Sequence, residues 1–170
     1  IVQNMPEWAH DEEAHVKERM LGNKSKLTWI KRPNCSQCIG GYSCALRHMD
    51  TNVYDSFGFI NSTMRGPILP VWFNQVNTHW SSVYTNRLQQ DVALVGSSIN
   101  YNVSRNPHVQ SMLMFMDKRA LQINKDKGCF LEDNKIVPKS ELIRRHEIMY
   151  SSNVMDAGLN IDCLFTAFAK

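Results

Sequence analysis

The chain has 170 residues, of which 43% are hydrophobic, so it is expected to form one domain with a single core. Its net charge of +3 comes from 19 basic and 16 acidic residues without a block of like charges, which argues against a nucleic-acid-binding arm. No apolar run reaches the roughly 18 residues that a membrane span needs, and no signal-peptide pattern opens the chain. Because the chain starts at Ile1, we expect a fragment, residues 1–170 forming one domain without its most N-terminal segment.

The predicted elements alternate between helices and strands. Hydrophobic periodicity, turn residues and the charge order of the first helix predict, in chain order, a helix over 6–21, a strand over 27–30, a helix over 40–49, a strand over 57–60, a loop over 72–76, a helix over 80–88, strands over 91–96 and 111–116, a helix over 118–123, a loop over 124–138, a helix over 140–157 that stops at Gly158, and a strand over 159–165. This alternation predicts an α/β fold with a mostly parallel sheet covered on both faces.

Polar clusters stand beside the predicted strand ends. The apolar run that ends at Ile60 is followed by Asn61, Ser62 and Thr63, and then by Arg65 and Gly66. In open α/β sheets ligands bind outside the carboxyl ends of the strands, and this combination of small hydrogen-bonding groups with a guanidinium is typical of an anion site. Three more clusters share this kind of position: Arg32 with Asn34, the segment from His108 through Gln110 to Ser111, and His146 with Glu147.

With these clusters, the chain resembles the nucleotide-sugar glycosyltransferases of the GT-A fold. The resemblance is to algal and large-virus sugar transferases that are related to polysaccharide rhamnosyltransferase domains. It is carried by the sequences RPN at 32–34, FINSTMRGP at 59–67, DVALVG at 91–96, PHVQS at 107–111 and DAGLNID at 156–162, which occur in the family's order. It implies a Rossmann-like, three-layer α/β/α domain that transfers a sugar from a nucleoside diphosphate sugar to a glycan hydroxyl with inversion.

The resemblance also implies roles for individual residues. Arg32 and Asn34 would lie near the nucleotide, and the residues following Ile60 would bind the nucleotide sugar: Asn61, Ser62, Thr63, Arg65 and Gly66. His108, Gln110 and Ser111 would face the donor and acceptor sugars. Glu147 would be the carboxylate that deprotonates the acceptor hydroxyl.

This chain departs from the family at two positions. Asn61-Ser62-Thr63 stands where GT-A enzymes carry an Asp-x-Asp metal motif, so Asn61 would be a poor ligand for Mn²⁺ or Mg²⁺ and Arg65 with backbone amides would neutralise the diphosphate instead. Cys38 replaces an Asp that follows Asn34 by four residues in the family. These departures leave open a domain that binds nucleotide or glycan without turnover.

A zinc-stabilised binding module is the alternative from another class. Cys35, Cys38, Cys44 and His48 have spacings that can supply four tetrahedral ligands. The expected partners otherwise are a nucleoside diphosphate sugar and a glycan acceptor, with no nucleic acid. An upstream membrane anchor would put the domain in the secretory lumen, and without one we expect it in the cytoplasm.

Overall fold

The computed structural model describes residues 2–5, 28–65, 79–101 and 106–165. The helix predicted over 6–21, the loop predicted over 72–76 and Gly66 lie outside these ranges. Within them the chain is a mixed α/β protein, as the alternation of elements predicts. None of the described helices is both long and apolar enough to cross a bilayer.

The described elements lie along the chain in the following order. They are β1 (Val2–Met5), β2 (Ile30–Pro33), α1 (Gln37–Arg47), a 3₁₀ turn (Thr51–Val53), β3 (Ser56–Ile60), α2 (Ser82–Thr85), β4 (Val92–Gly96), β5 (Ile99–Asn100), β6 (His108–Val109), β7 (Leu113–Asp117), α3 (Lys118–Asp126), α4 (Lys139–Leu142), a π-helical turn (Ile143–Glu147), α5 (Ile148–Asp156) and β8 (Asn160–Cys163). β1 and β2 form a separate parallel pair, and β5 and β6 form a short antiparallel pair.

The central sheet is mixed and not mostly parallel as predicted. Its strand order is β3-β7-β4-β8, and β7 runs antiparallel to both of its neighbours, whereas β8 runs parallel to β4. The connection after β4 explains the reversal. The amide of Ser97 donates to the carbonyl of Leu113 (3.3 Å), so the chain enters β7 at the edge where β4 ends and has to run back across the sheet.

Both faces of the sheet are covered. Met114 and Met116 of β7 are fully buried in the cluster that includes residues of α1, α3 and α5. Leu113 and Phe115 point to the opposite face, where Phe115 stacks on Tyr84 of α2 with ring centroids 4.8 Å apart. Side chains alternate along β7, so this one strand contributes to the hydrophobic cluster on each face of the sheet.

Local signals set most boundaries. The strands predicted over 57–60 and 91–96 are confirmed to within one residue, and Gly158 ends the last helix with a φ of +78°, a conformation that glycine adopts without strain. Asp117 accepts a hydrogen bond from the amide of Ala120 (2.9 Å) and so caps α3 directly after β7.

Several predicted boundaries are wrong. The helix predicted over 80–88 is present only as the four residues of α2, Ser82–Thr85. β2 lies three residues later than the strand predicted over 27–30, and α3 extends beyond 123 to Asp126. α1 begins at Gln37 rather than at 40 because Ser36, in a left-handed conformation, is fixed from outside the helix. Its Oγ donates to the carbonyl of Lys135 (2.6 Å) and accepts from the amide of Val137 (2.9 Å).

Candidate functional site

The polar segments after β3 and before β7 meet at one edge of the central sheet. β3, β4 and β8 end at this edge and β7 begins there. The amide of Asn61 donates to the carbonyl of Met112 (3.0 Å), which ties the two segments together directly. Residues about 50 positions apart in the sequence therefore lie side by side at this edge.

Asn61 closes a tight polar turn. Its side-chain Oδ1 accepts hydrogen bonds from the amide (3.0 Å) and from the hydroxyl of Thr63. Ser62, Thr63 and Arg65 are exposed at the end of β3, although the amide and the hydroxyl of Thr63 are bonded to Asn61. The Asn61 oxygen that would serve a metal already accepts two hydrogen bonds. Within the described ranges no group of three or more His, Cys, Asp or Glu side chains is placed to hold a metal ion.

Glu147 reaches the same edge from the last helix. Its Oε1 accepts hydrogen bonds from the Ser111 hydroxyl (2.9 Å) and from the Ser111 amide (3.3 Å). The Glu147 side chain is half-buried, and it is held beside the segment that leads into β7. A carboxylate with one oxygen fixed and the other free of those bonds can accept a proton from a bound hydroxyl.

The π-helical turn sets the position of Glu147. The sequence predicts one continuous helix over 140–157. In the structure the backbone hydrogen bonds have the π-helical pattern over Ile143–Glu147 before α5 begins. Glu147 is the last residue of this turn, immediately before Ile148. Single π turns inside α-helices occur frequently at functional sites, because they break the regular packing of one face.

Tyr42 of α1 also holds Ser111 in place. Its hydroxyl donates to the carbonyl of Ser111 (2.9 Å), so Ser111 is held on one side by Tyr42 and on the other by Glu147. Burial raises the pKa of Tyr42 well above its ordinary value, and the neighbouring Cys38 and Glu147 raise it further. The phenol therefore stays protonated and keeps donating at neutral pH.

Sequence reasoning missed Tyr42 as a neighbour of Glu147, whereas the spacing of Glu147 and Tyr150 puts these two on one helix face. Burial is the largest cause that raises the pKa of Tyr150, and Cys129, Cys38, Tyr42 and Glu147 also raise it. The one available signal was spacing: Tyr42 lies four residues after Cys38, and Tyr150 three after Glu147, so each pair shares a helix face.

His108 and Gln110 are held by protein groups. His108 is buried, with Nδ1 hydrogen-bonded to the Asn106 carbonyl (3.0 Å). The Oε1 of Gln110 accepts from the Ser98 hydroxyl (2.8 Å), next to a cleft of about 420 Å³ that Tyr101 also lines. Of these two predicted sugar contacts, Gln110 therefore borders open space and His108 lies inside the fold.

Arg32 and Asn34 belong to a different part of the fold. Arg32 lies in β2 next to its last residue, is buried, and donates from Nη1 to the carbonyl of Cys35 (3.1 Å). Gly40 makes room for it, because a Cβ there would lie 2.1 Å from the Cys35 oxygen and 2.9 Å from Nη1. Asn34 is exposed. The Arg32 guanidinium thus has a structural contact that the sequence does not predict.

The four residues of the proposed zinc set do not form a metal group in the described chain. Cys35 and Cys44 are buried, and all five cysteines are free thiols. The Cys44 sulfur lies 3.9 Å from Nδ1 of His48, a nitrogen that is hydrogen-bonded to the Cys44 carbonyl (2.9 Å). This is a local helical contact in which Nδ1 is already hydrogen-bonded to the backbone, so that nitrogen is not free to bind zinc.

Comparison with known proteins assigns no function to the chain, so a proposal rests on the geometry of the site. No protein-family model matches the chain, and no match is found among the curated proteins or among the solved structures.

Proposed function

We propose that the chain is a GT-A-like glycosyltransferase domain that moves a sugar from a nucleoside diphosphate sugar to a glycan hydroxyl with inversion. The observation that carries the proposal is the meeting of Asn61, Ser111 and Glu147 at one sheet edge, through hydrogen bonds between segments far apart in sequence. These are the segments to which the resemblance assigns donor binding, sugar contact and proton abstraction. The sheet edge is also where α/β folds bind ligands.

In this mechanism Glu147 takes the proton of the acceptor hydroxyl. The hydroxyl oxygen attacks the anomeric carbon from the side opposite the diphosphate, a new glycosidic bond forms, and the bond from that carbon to the diphosphate oxygen breaks. The diphosphate leaves with the electron pair. The hydrogen bonds from Ser111 hold the carboxylate in place before the reaction, which lowers the entropic cost of proton transfer.

The described residues around Asn61 do not suit Mn²⁺ or Mg²⁺. Both ions prefer carboxylate oxygens, and the turn offers an amide oxygen that two hydrogen bonds already occupy. The exposed guanidinium of Arg65 would bind the diphosphate, because its donors can engage two phosphate oxygens at once.

Replacing the carboxylate of Glu147 tests the proposal. Purified protein is incubated with UDP-glucose, UDP-galactose, GDP-mannose and dTDP-rhamnose and a mixture of oligosaccharide acceptors, and products are measured by mass spectrometry. Glu147→Gln should lower transfer by roughly 10²–10⁴-fold, because an amide does not accept the proton. The exposed Glu132→Gln serves as the control and should retain full activity. Transfer by Glu147→Gln at the wild-type rate would remove Glu147 from the mechanism.

A non-catalytic binding domain is the second candidate. The observation that favours it is the Asn61 turn, which has an amide where the resembled enzymes have carboxylates. It predicts donor binding by the wild-type protein without any product in the same assay.

A further inference from the structure

A basic cavity lies on the other side of the π-helical turn from Glu147. Its volume is about 500 Å³, within the usual range for small-molecule sites. It lies between the turn after α3 and the helix that contains the π turn. Four cationic side chains and one histidine line it: Lys127, Lys135, Arg144, Arg145 and His146.

The positive charge of this basic cavity is poorly balanced. Glu141 is the acidic residue among those that line it, and it pairs with Arg145 (3.4 Å). Among the described residues no carboxylate lies within ion-pair distance of Lys127, Lys135 or Arg144. Like charges gathered around one concave surface repel one another, so a bound anion would lower the electrostatic energy of the folded protein.

The walls of the cavity are fixed by contacts to the core. Nδ1 of His146 donates to the carbonyl of Cys129 (2.7 Å), and both residues are buried. On the opposite wall, Ser36 binds the backbone of Lys135 (2.6 Å) and of Val137 (2.9 Å). These contacts hold the walls of the cavity in place. Binding an anion would therefore need little reorganisation of the protein.

We propose that this cavity binds the phosphate group of a small ligand. Phosphate suits a site with several separated cations, since its oxygens accept hydrogen bonds in several directions. Ile136, which lies in the sequence between the lining residues Lys135 and Val137, is an exposed apolar side chain near this cavity (79% exposed). The phosphate can thus come from a soluble metabolite or from a lipid headgroup. The proposal does not depend on glycosyl transfer.

Binding of two probes tests the proposal and separates the two sources. Inorganic pyrophosphate is titrated by calorimetry, and vesicles of phosphatidylcholine with phosphatidic acid are compared with pure phosphatidylcholine by co-sedimentation. The variant is Lys135→Gln/Arg144→Gln, in which both residues are exposed, so that the fold should be retained. Its matched control is Lys118→Gln, at the opposite end of α3, and circular dichroism checks the folding of each protein.

Binding of either probe to the wild-type protein should weaken at least about tenfold in the double variant and be unchanged in the control. Pyrophosphate binding with this pattern identifies a soluble source, and binding restricted to the phosphatidic acid vesicles identifies a lipid. The proposal is overturned if neither probe binds, or if the folded double variant binds as the wild type does. Pyrophosphate binding that persists in the double variant would be assigned to another site, such as the one proposed at Arg65.

Discussion

At the scale of single residues, two buried tyrosines form a matched pair. The hydroxyl of Tyr42 donates to the Ser111 carbonyl (2.9 Å), whereas the hydroxyl of Tyr150 has no hydrogen-bond partner among the described residues. Tyr42→Phe should lower the free energy of unfolding by about 1–2 kcal/mol, because it removes that bond. Tyr150→Phe should be neutral or stabilising, because burying an unpaired hydroxyl is unfavourable.

Urea denaturation of both variants at pH 7 measures this difference. The wild-type protein is the reference, and equal slopes against urea are required for the comparison. A loss at Tyr150 as large as the loss at Tyr42 would contradict the difference in their hydrogen bonding.

The residues of the site differ in how far the sequence could predict their surroundings. The turn at Asn61 follows from local chemistry, because an Asn side chain readily bonds the backbone two residues later. The burial of Arg32 could not be predicted, since it depends on the space above Gly40 and on the carbonyl of Cys35. A strand-end arginine looks the same in sequence whether it faces solvent or the core.

At the scale of elements, a buried polar network joins α3 to α5. Asn124 donates to the carbonyls of Ala120 (3.0 Å) and Tyr150 (3.2 Å), and Asn153 donates to the side-chain oxygen of Asn124 (3.1 Å). Asn124→Leu should lower the free energy of unfolding by about 2–3 kcal/mol, because the buried groups of Asn153 and Tyr150 lose a partner.

The control for this prediction lies on the same helix. Gln122 is exposed, and Gln122→Leu should change stability by no more than about 0.5 kcal/mol. Chemical denaturation of the two variants gives both values. If Asn124→Leu were as stable as the wild type, the network would not hold the two helices together.

Two features of the elements cannot be predicted from sequence patterns: the direction of β7 and the π turn. The apolar run at 111–116 predicts a buried strand, and β7 is buried, but such a run has the same pattern in a parallel or an antiparallel sheet. The direction of β7 is decided by the connection after Gly96. The π turn has no sequence signature either, because the apolar spacing over 140–157 continues through it.

At the scale of the whole molecule, buried weak acids predict a loss of stability at alkaline pH. Burial raises the pKa of Cys129 from about 9 to about 11, and it also raises the pKa values of Tyr42 and Tyr150. Above about pH 9 the unfolded chain therefore loses protons that the folded protein keeps. The free energy of unfolding should fall as the pH rises from 9 to 11, and these groups should have no effect between pH 7 and 8.

Denaturation curves at pH 7, 8, 9 and 10 measure this dependence. Tyr150→Phe should flatten the decline near pH 10, because it removes one of the buried acids. A stability that does not change from pH 8 to 10 would show that these groups titrate alike in the folded and unfolded states.

The proposed function requires that the edge formed by β3, β4 and the start of β7 binds a nucleoside diphosphate sugar. The most direct measurement is the shift in melting temperature with UDP-glucose, UDP-galactose, GDP-mannose and dTDP-rhamnose, each with and without Mn²⁺. At about 100 times the dissociation constant, binding adds roughly 2.7 kcal/mol, which corresponds to a rise of about 5–10 °C. We expect such a rise with at least one donor in the wild-type protein and a clearly smaller one in Arg65→Ala. No shift with any donor, or an equal shift in Arg65→Ala, would contradict it.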